Sequence, residues 1–532
     1  MDIENEQKRE LHIDHGVLWP CLVVASVVAF FGIVYPDSTA RLMGVAMDWT
    51  LGTAGAWYLW FAMGVLVFLV GLASSKYGRI VIGEPDEKKE YNELTWAGLM
   101  FCAGIGLSVL YWALMEPINY VAGPPFGVDP YSDMAYEWAG IYGSYHWGLM
   151  PWALYTICTI PIAYSHHVRK TPQLRLSTAC EVILGKWTYR WPGKLIEMFV
   201  LFGLIGGVGT SLGLSTPMVS GFFSRIFNIP LEPNQMTLNT IGILILTAIF
   251  TISVFRGLNK GIKVLSNANV YLCFFFLALV LVFGPTSFMV NSFTNGFGLE
   301  LSEFFRMGFN TDPISQTGWP QGWTIFFWAW WLAYSPFMGL WVARVSRGRT
   351  IRSIIFGQLG YGSLGCFLVF LVVGGFSLHT EFTAETPISQ IAADLGNNLA
   401  LVEIVYNMPL PALIVPVFLI LQFIFGATTL DSAAYVMASA CTKEILPSEQ
   451  PARWNRLLWV GVLGGVSLVL MFLGGLKPLQ TASIIVAFPI TFIAILLNIS
   501  LFKSIKQDFA GVFDQKAPVP VVKYESKVGG EK

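Results

Sequence analysis

The chain has 532 residues, of which 55% are hydrophobic and only 12% charged, against about 25% charged in an ordinary soluble protein. Its 32 Lys and Arg nearly balance 33 Asp and Glu, so its charge points to neither nucleic acid nor any strongly acidic or basic partner. A soluble chain of this length would divide into roughly three or four domains, yet apolar runs recur throughout and mean hydropathy is +0.60, which excludes a soluble protein.

In chain order, the first 15 residues are polar. They read as a tail without a cleavable signal, so the first apolar run is expected to be a retained span. About twelve segments reach the ~20 apolar residues needed to cross the hydrocarbon core. They lie near 16–35, 55–74, 94–116, 138–163, 194–223, 236–255, 264–290, 322–343, 354–378, 408–440, 456–475 and 480–502. Lipid offers the backbone no hydrogen-bond partners, and no alternating barrel pattern is present, so the expected fold is an all-α polytopic membrane protein. Its parts are a tail over 1–15, a membrane domain over 16–506 and a second tail over 507–532.

Basic residues set the orientation. Lys8 and Arg9 precede the first span; Lys76, Arg79, Lys88 and Lys89 follow the second; Arg169, Lys170, Arg175, Lys186 and Arg190 follow the fourth. Arg256 and Lys260 follow the sixth, Arg344, Arg347, Arg349 and Arg352 the eighth, Lys443, Arg453 and Arg456 the tenth, and Lys503 and Lys506 the twelfth. The loops 117–137 and 379–402 hold no Lys or Arg. Both termini are therefore expected in the cytoplasm. Two linkers look amphipathic: 173–187 on the inner side, and 291–309 on the outer side, where an interfacial helix is expected. The 7 Cys lie in or beside apolar segments with no CxxC pair, as packing residues do.

Three features stand out. Span 3 carries Ala103-Gly104-Ile105-Gly106-Leu107. Such a stretch is either a close packing face or a broken helix, the device with which secondary transporters bind substrates and ions. Span 8 runs Phe327-Trp328-Ala329-Trp330-Trp331 to Tyr334, and span 4 holds His146-Trp147-Gly148 with Pro151-Trp152 and Tyr155. An interfacial belt explains single Trp residues but not a run this dense. Trp330 and Trp331 share a face with Tyr334 at helical spacing, opposite a second wall of Trp147, Trp152 and Tyr155. Facing rings suit a quaternary ammonium, which has no N–H to donate and gains ~0.5–2 kcal/mol per ring. Third, Ala343-Arg344-Val345-Ser346-Arg347-Gly348-Arg349-Thr350 closes span 8. It serves either the positive-inside rule or a gate that pairs with carboxylates.

On these motifs the chain resembles the betaine/carnitine/choline transporter family over about residues 15–506. The closest branch is the carnitine/γ-butyrobetaine exchangers, through PPFGVDP (124–130), GTSLGLSTP (209–217), TDPI (311–314), PQGWT (320–324) and GGLKPLQTA (474–482). The resemblance implies twelve spans in the cell (inner) membrane, a five-plus-five inverted repeat of spans 3–7 and 8–12, a homotrimer, and a substrate box of Trp147, Trp152, Tyr155, Trp330, Trp331, Tyr334 and Met338. It implies no cofactor, with sodium the one candidate coupling ion. Lys263 stands where the exchangers carry an arginine that replaces bound sodium. In the stretch that begins at Phe425, Thr428 and Thr429 stand where sodium-coupled members place two hydroxyls, which carbonyls of Ala103, Gly104 and Gly106 would complement. The chain thus carries marks of both mechanisms, and substrate exchange is favoured.

Among acidic residues, Glu116 and Glu197 read as span-end groups, and Asp431 as one that caps a broken helix or pairs with a basic residue. His146 reads as a hydrogen-bonded core residue. The histidines His12, His15, His146, His166, His167 and His379 make no metal spacing inside a span, which argues against a membrane-embedded enzyme. A passive channel would want a continuous polar pore instead of aromatic walls.

Overall fold

The computed structural model describes residues 12–510 except 85, 104–105, 172, 257–260, 444–449 and 473–475. Side chains at 107, 231–233, 250, 252–256, 261–267, 470–472, 476–479 and 482 also lie outside the description. Among the described residues the chain is helical and has no strand, only two isolated bridges.

The first half comprises α1 (His15–Val34), α2 (Pro36–Ser74), α3 (Glu93–Ala103), α4 (Leu107–Ala122), α5 (Asp133–Ala139), α6 (Tyr142–Trp147) and α7 (Leu149–Ala163). It continues through the short α8 (Leu176–Ala179) and α9 (Glu181–Leu184) to α10 (Trp191–Phe227), α11 (Leu231–Arg256) and α12 (Gly261–Phe283). Next come α13 (Thr286–Phe309), α14 (Phe326–Val345), α15 (Ile351–Val369), α16 (Gly375–Thr383), α17 (Ile388–Leu395) and α18 (Asn397–Asn407). The last helices are α19 (Pro411–Ala440), α20 (Arg453–Phe472) and α21 (Leu476–Asp508).

Seven described helices are long and apolar enough to cross a membrane, or nine if each of two bent pairs is one span. One bent pair is α3 with α4, turned by 53°, so the glycine stretch of span 3 falls at a break between helices. The other joins α12 to α13 through a 103° turn. There α13 departs from the direction of the span before it, as the amphipathic pattern of 291–309 leads one to expect. The 173–187 linker forms two single turns and a 3-10 segment, not one helix.

Burial sorts the helices. In its most apolar window α1 is only 28% buried, whereas α10 is 83% buried and the helix of span 8, Gln321–Val345, 89%. Val23, Val27, Phe30 and Phe31 of α1 are exposed, the pattern of a lipid-facing helix. The core is therefore α14 lying along α7, with α10 and α21 packed beside it. Small residues let α10 approach its neighbours closely: a Cβ at Gly203 would stand 2.6 Å from the Ala333 carbonyl oxygen, and one at Gly206 2.8 Å from the Ser483 nitrogen.

The basic loops and the described chain ends meet on one face. Ile82 N–H donates to Arg349 O and Ile351 N–H to Ile80 O, pinning the loop after α2 to the loop after α14. Arg347 pairs with Glu87, and Lys170 with Glu84 at 2.5 Å. Arg349 is buried and sends both guanidinium nitrogens across, to Glu93 at 2.9 Å and to the carbonyls of Tyr91 and Asn92. The N-terminal Asp14 takes an N–H···O bond to Cys441 O and faces Lys194 at 3.2 Å. Near the other end of the described chain, Arg169 grips Asp508 at 2.8 Å.

Candidate substrate site

Span 4 is interrupted in the middle. Gly148 adopts φ −87°, ψ −127° between α6 and α7, and Pro151 brings no N–H to the turn that follows. Backbone carbonyls at the end of α6 are thereby released from helical bonding. The Trp331 indole donates to one of them, His146 O, at 2.9 Å. Ser335 Oγ donates to Leu154 O at 2.5 Å, so α14 is stitched to α6 and α7, on both sides of the break.

This stitching brings the rings together. Trp147 stands edge-on to Trp331 with centroids 4.6 Å apart and edge-on to Trp330 at 6.1 Å. Tyr155 meets Trp331 at 5.9 Å, and Trp330 stacks beside Trp331 at 4.8 Å. Such edge-to-face pairs set the positive rim of one ring against the negative face of another. Trp152 is directed elsewhere: a Cβ at Gly362 of α15 would stand 2.3 Å from its ring, and it meets this cluster through Tyr155 at 5.6 Å. Tyr334 abuts Gly207 of α10. Met338 is buried one turn beyond.

A cavity of about 1080 Å³ lies beyond the ring cluster and does not contain it. It begins at Phe337 and Leu340 of α14, the turns just past Tyr334, and extends to His167, Lys170, Arg344 and Arg347 among the basic loops. The cavity thus runs from the basic loops to α14 residues within two turns of Tyr334.

One network escaped the sequence reading. Glu116, expected near a span end, is fully buried on α4 beside the rings. Its Oε1 accepts the Trp147 indole N–H at 2.7 Å, and its Oε2 accepts the Tyr120 hydroxyl at 2.8 Å. His146 sits in the same network, with Nδ1 2.9 Å from the Tyr120 hydroxyl and Nε2 3.0 Å from Thr324 Oγ1. The available signal was the i, i+4 pair Glu116 and Tyr120 on an otherwise apolar helix.

A model of the betaine/carnitine/choline family transporter matches residues 16–510. The chain belongs to the betaine/carnitine/choline transporter family. Members of this family are transporters, not enzymes, and the family implies substrates of the betaine, carnitine or choline type. The all-α multi-pass architecture accords with that membership.

The residues expected at a coupling site of this transporter are spread over three helices. Ala103 and Gly106 flank the span 3 break, and Ser108 beyond it meets Ser211 of α10 at 3.0 Å between hydroxyls. Phe425 is buried on α19, and the Thr428 hydroxyl donates to the carbonyls of Ile424 and Phe425 in its own helix; Thr429 is half-buried beside it. Gly104 and the Lys263 side chain lie outside the described residues. Asp431, further along α19, pairs with Arg456 of α20 at 2.6 Å.

Proposed function

We propose that this transporter carries trimethylammonium compounds (carnitine, γ-butyrobetaine, glycine betaine or choline) by alternating access, exchanging one for another. The observation that supports this most directly is Trp147 standing edge-on to Trp331 at 4.6 Å, with Trp330 and Tyr155 alongside. A trimethylammonium head offers no hydrogen-bond donor, and desolvated ring faces are its strongest neutral partners. The head would part the rings from the cavity side, with Trp147, Trp330 and Trp331 as its walls and Tyr155, Tyr334, Trp152 and Met338 around them. In this reading the chain has twelve spans, a five-plus-five repeat of spans 3–7 and 8–12 and both termini in the cytoplasm, and works as a homotrimer in the inner membrane.

The second reading is a sodium-coupled symporter. It draws support from the contact of α4, the helix that follows the span 3 break, with α19, which carries Thr428 and Thr429. Uptake into proteoliposomes with a panel of betaines separates the two. Exchange requires acceleration by substrate preloaded inside and no need for sodium; obligatory sodium would sink the reading in which the Lys263 charge replaces the ion. Trp330→Leu and Trp331→Leu should each abolish saturable uptake while assembly persists. Undiminished uptake in both variants would remove the ring cluster from the substrate path.

A further inference from the structure

The carboxylate of Glu116 has a role that the ring cluster alone does not supply. Two hydrogen bonds end on it, and two more extend one of them into a series. Trp147 Nε1–H has no acceptor capacity, so Glu116 Oε1 must receive it (2.7 Å). Tyr120 donates to Oε2 (2.8 Å), His146 Nδ1–H donates to the Tyr120 oxygen (2.9 Å), and Thr324 donates to His146 Nε2 (3.0 Å). Each group in that chain is buried. Among the described residues, the one basic side chain at ion-pair distance is His146, 3.7 Å from Oε2. No Lys or Arg in that set neutralises the carboxylate, although a buried carboxylate is costly without a cationic partner.

We infer that Glu116 is a specificity-determining residue of the transport site, whose negative charge, delivered through Trp147, selects a permanently cationic head over a neutral group of the same shape. This rests on the trimethylammonium reading above. Two physical effects act together. The carboxylate at the indole N–H draws that proton outward and leaves the Trp147 ring richer in electrons, which strengthens its attraction for a cation over its face. The charge also acts through space in an interior where water screens little. The substrate head then supplies the positive charge that the protein withholds. The same bond fixes the Trp147 indole in its edge-on pose against Trp331.

Glu116→Gln isolates the charge, because every hydrogen bond can survive it. The amide oxygen accepts from Trp147, the amide N–H donates to Tyr120, and the Tyr120–His146–Thr324 series reverses. The probes are whichever trimethylammonium compound wild-type proteoliposomes take up best and its carbon isostere, with C(CH3)3 in place of N(CH3)3⁺, measured as competitors for uptake. The expected result is that Glu116→Gln cuts the preference for the cation over the isostere at least about tenfold, with the maximal rate changed far less than the half-saturation concentration. An unchanged preference overturns the inference, and so does an equal loss for both compounds, which would make Glu116 a purely positional residue. Should Glu116→Gln fail to assemble, Glu116→Asp carries the test: it keeps the charge, so its preference should stay near wild type even if both affinities fall, and a lost preference overturns the inference. If wild type takes up none of the trimethylammonium panel, it is the substrate reading that has failed, a result visible before any variant is made.

Discussion

Trp331 of α14 donates its indole N–H to the main-chain oxygen of His146, 2.9 Å away. In an unbroken helix that oxygen would bond to the N–H of Met150; the turn at Gly148 releases it. One side chain thus serves as a wall of the ring cluster and as the cap of a broken span. Trp331→Phe keeps a ring and orphans the carbonyl, which should cost about 1–3 kcal/mol. Trp330→Phe is the matched control, since its indole nitrogen is buried with no partner. Thermal unfolding of the purified proteins should place Trp331→Phe clearly below Trp330→Phe; equal values would show that the capping bond contributes nothing.

Gly207 of α10 is the floor on which Tyr334 rests. A Cβ there would stand 2.5 Å from the Tyr334 ring, so Gly207→Ala must push the ring along α14 or force the two helices apart. Overpacking of this kind costs about 1–3 kcal/mol, and the displaced ring should weaken substrate binding several-fold. Adding Tyr334→Ala should restore stability without restoring uptake. Gly52→Ala on α2 is the control, since nothing lies within 4 Å of its added carbon; there the better helix propensity should leave stability unchanged or slightly raised. Uptake titrations alongside thermal unfolding check each variant.

These two cases show what the sequence discloses and what it withholds. Apolar length located the helices, and helical spacing placed Trp330, Trp331 and Tyr334 on a common side of α14. Spacing does not say which neighbour a side chain meets. Trp152 was grouped with Trp147 and Tyr155, but its ring packs against α15, because the bare backbone of Gly362 leaves room for an indole. Glu116 was named among the acidic residues nearest the spans, but its Trp147 and Tyr120 partners were not legible, since hydropathy says nothing of neighbours. That Asp431 would cap a broken helix or pair with a basic residue was legible from the cost of burying a lone charge; that it pairs, and with Arg456, depends on how α19 and α20 pack.

The loop clamp on the basic face should respond to acid. Burial alone would raise the Glu87 carboxyl, but the Glu84 backbone N–H and the Arg347 guanidinium, with His167 behind, hold it below the usual carboxylate value. A depressed value in the folded state means that the contribution is fully present above the unfolded value of about 4.3 and is lost as pH falls through the folded one. Limited proteolysis within 84–92 should therefore be slow at neutral pH and accelerate once pH drops below about 4. Glu87→Gln should be cut faster at neutral pH and lose that acid-dependent increase. A cleavage rate in Glu87→Gln indistinguishable from wild type across pH would exclude the pair as a clamp.

Asp431 and Arg456 form a pair whose two members should not be equally expendable. They approach to 2.6 Å with both side chains about 2% exposed, and removing one partner of such a pair ordinarily costs about 3–5 kcal/mol. Asp431, however, borders the large cavity and Arg456 does not, although each keeps one buried polar atom without a partner, Asp431 Oδ2 and Arg456 Nε. After Arg456→Met, the carboxylate can take water from the cavity, so the loss should fall to about 1–3 kcal/mol. After Asp431→Leu, the guanidinium is left with the Tyr435 ring at 6.0 Å and should bear the full penalty. Asp431→Leu combined with Arg456→Met removes both charges and should recover most of the stability, since a buried pair is often no better than a well-packed apolar one. Unfolding measured across this double-mutant cycle reads the coupling directly. Equal losses for the two single variants would mean that the cavity does not hydrate Asp431, and a double variant no better than Asp431→Leu would mean that the pair contributes more than mutual neutralisation.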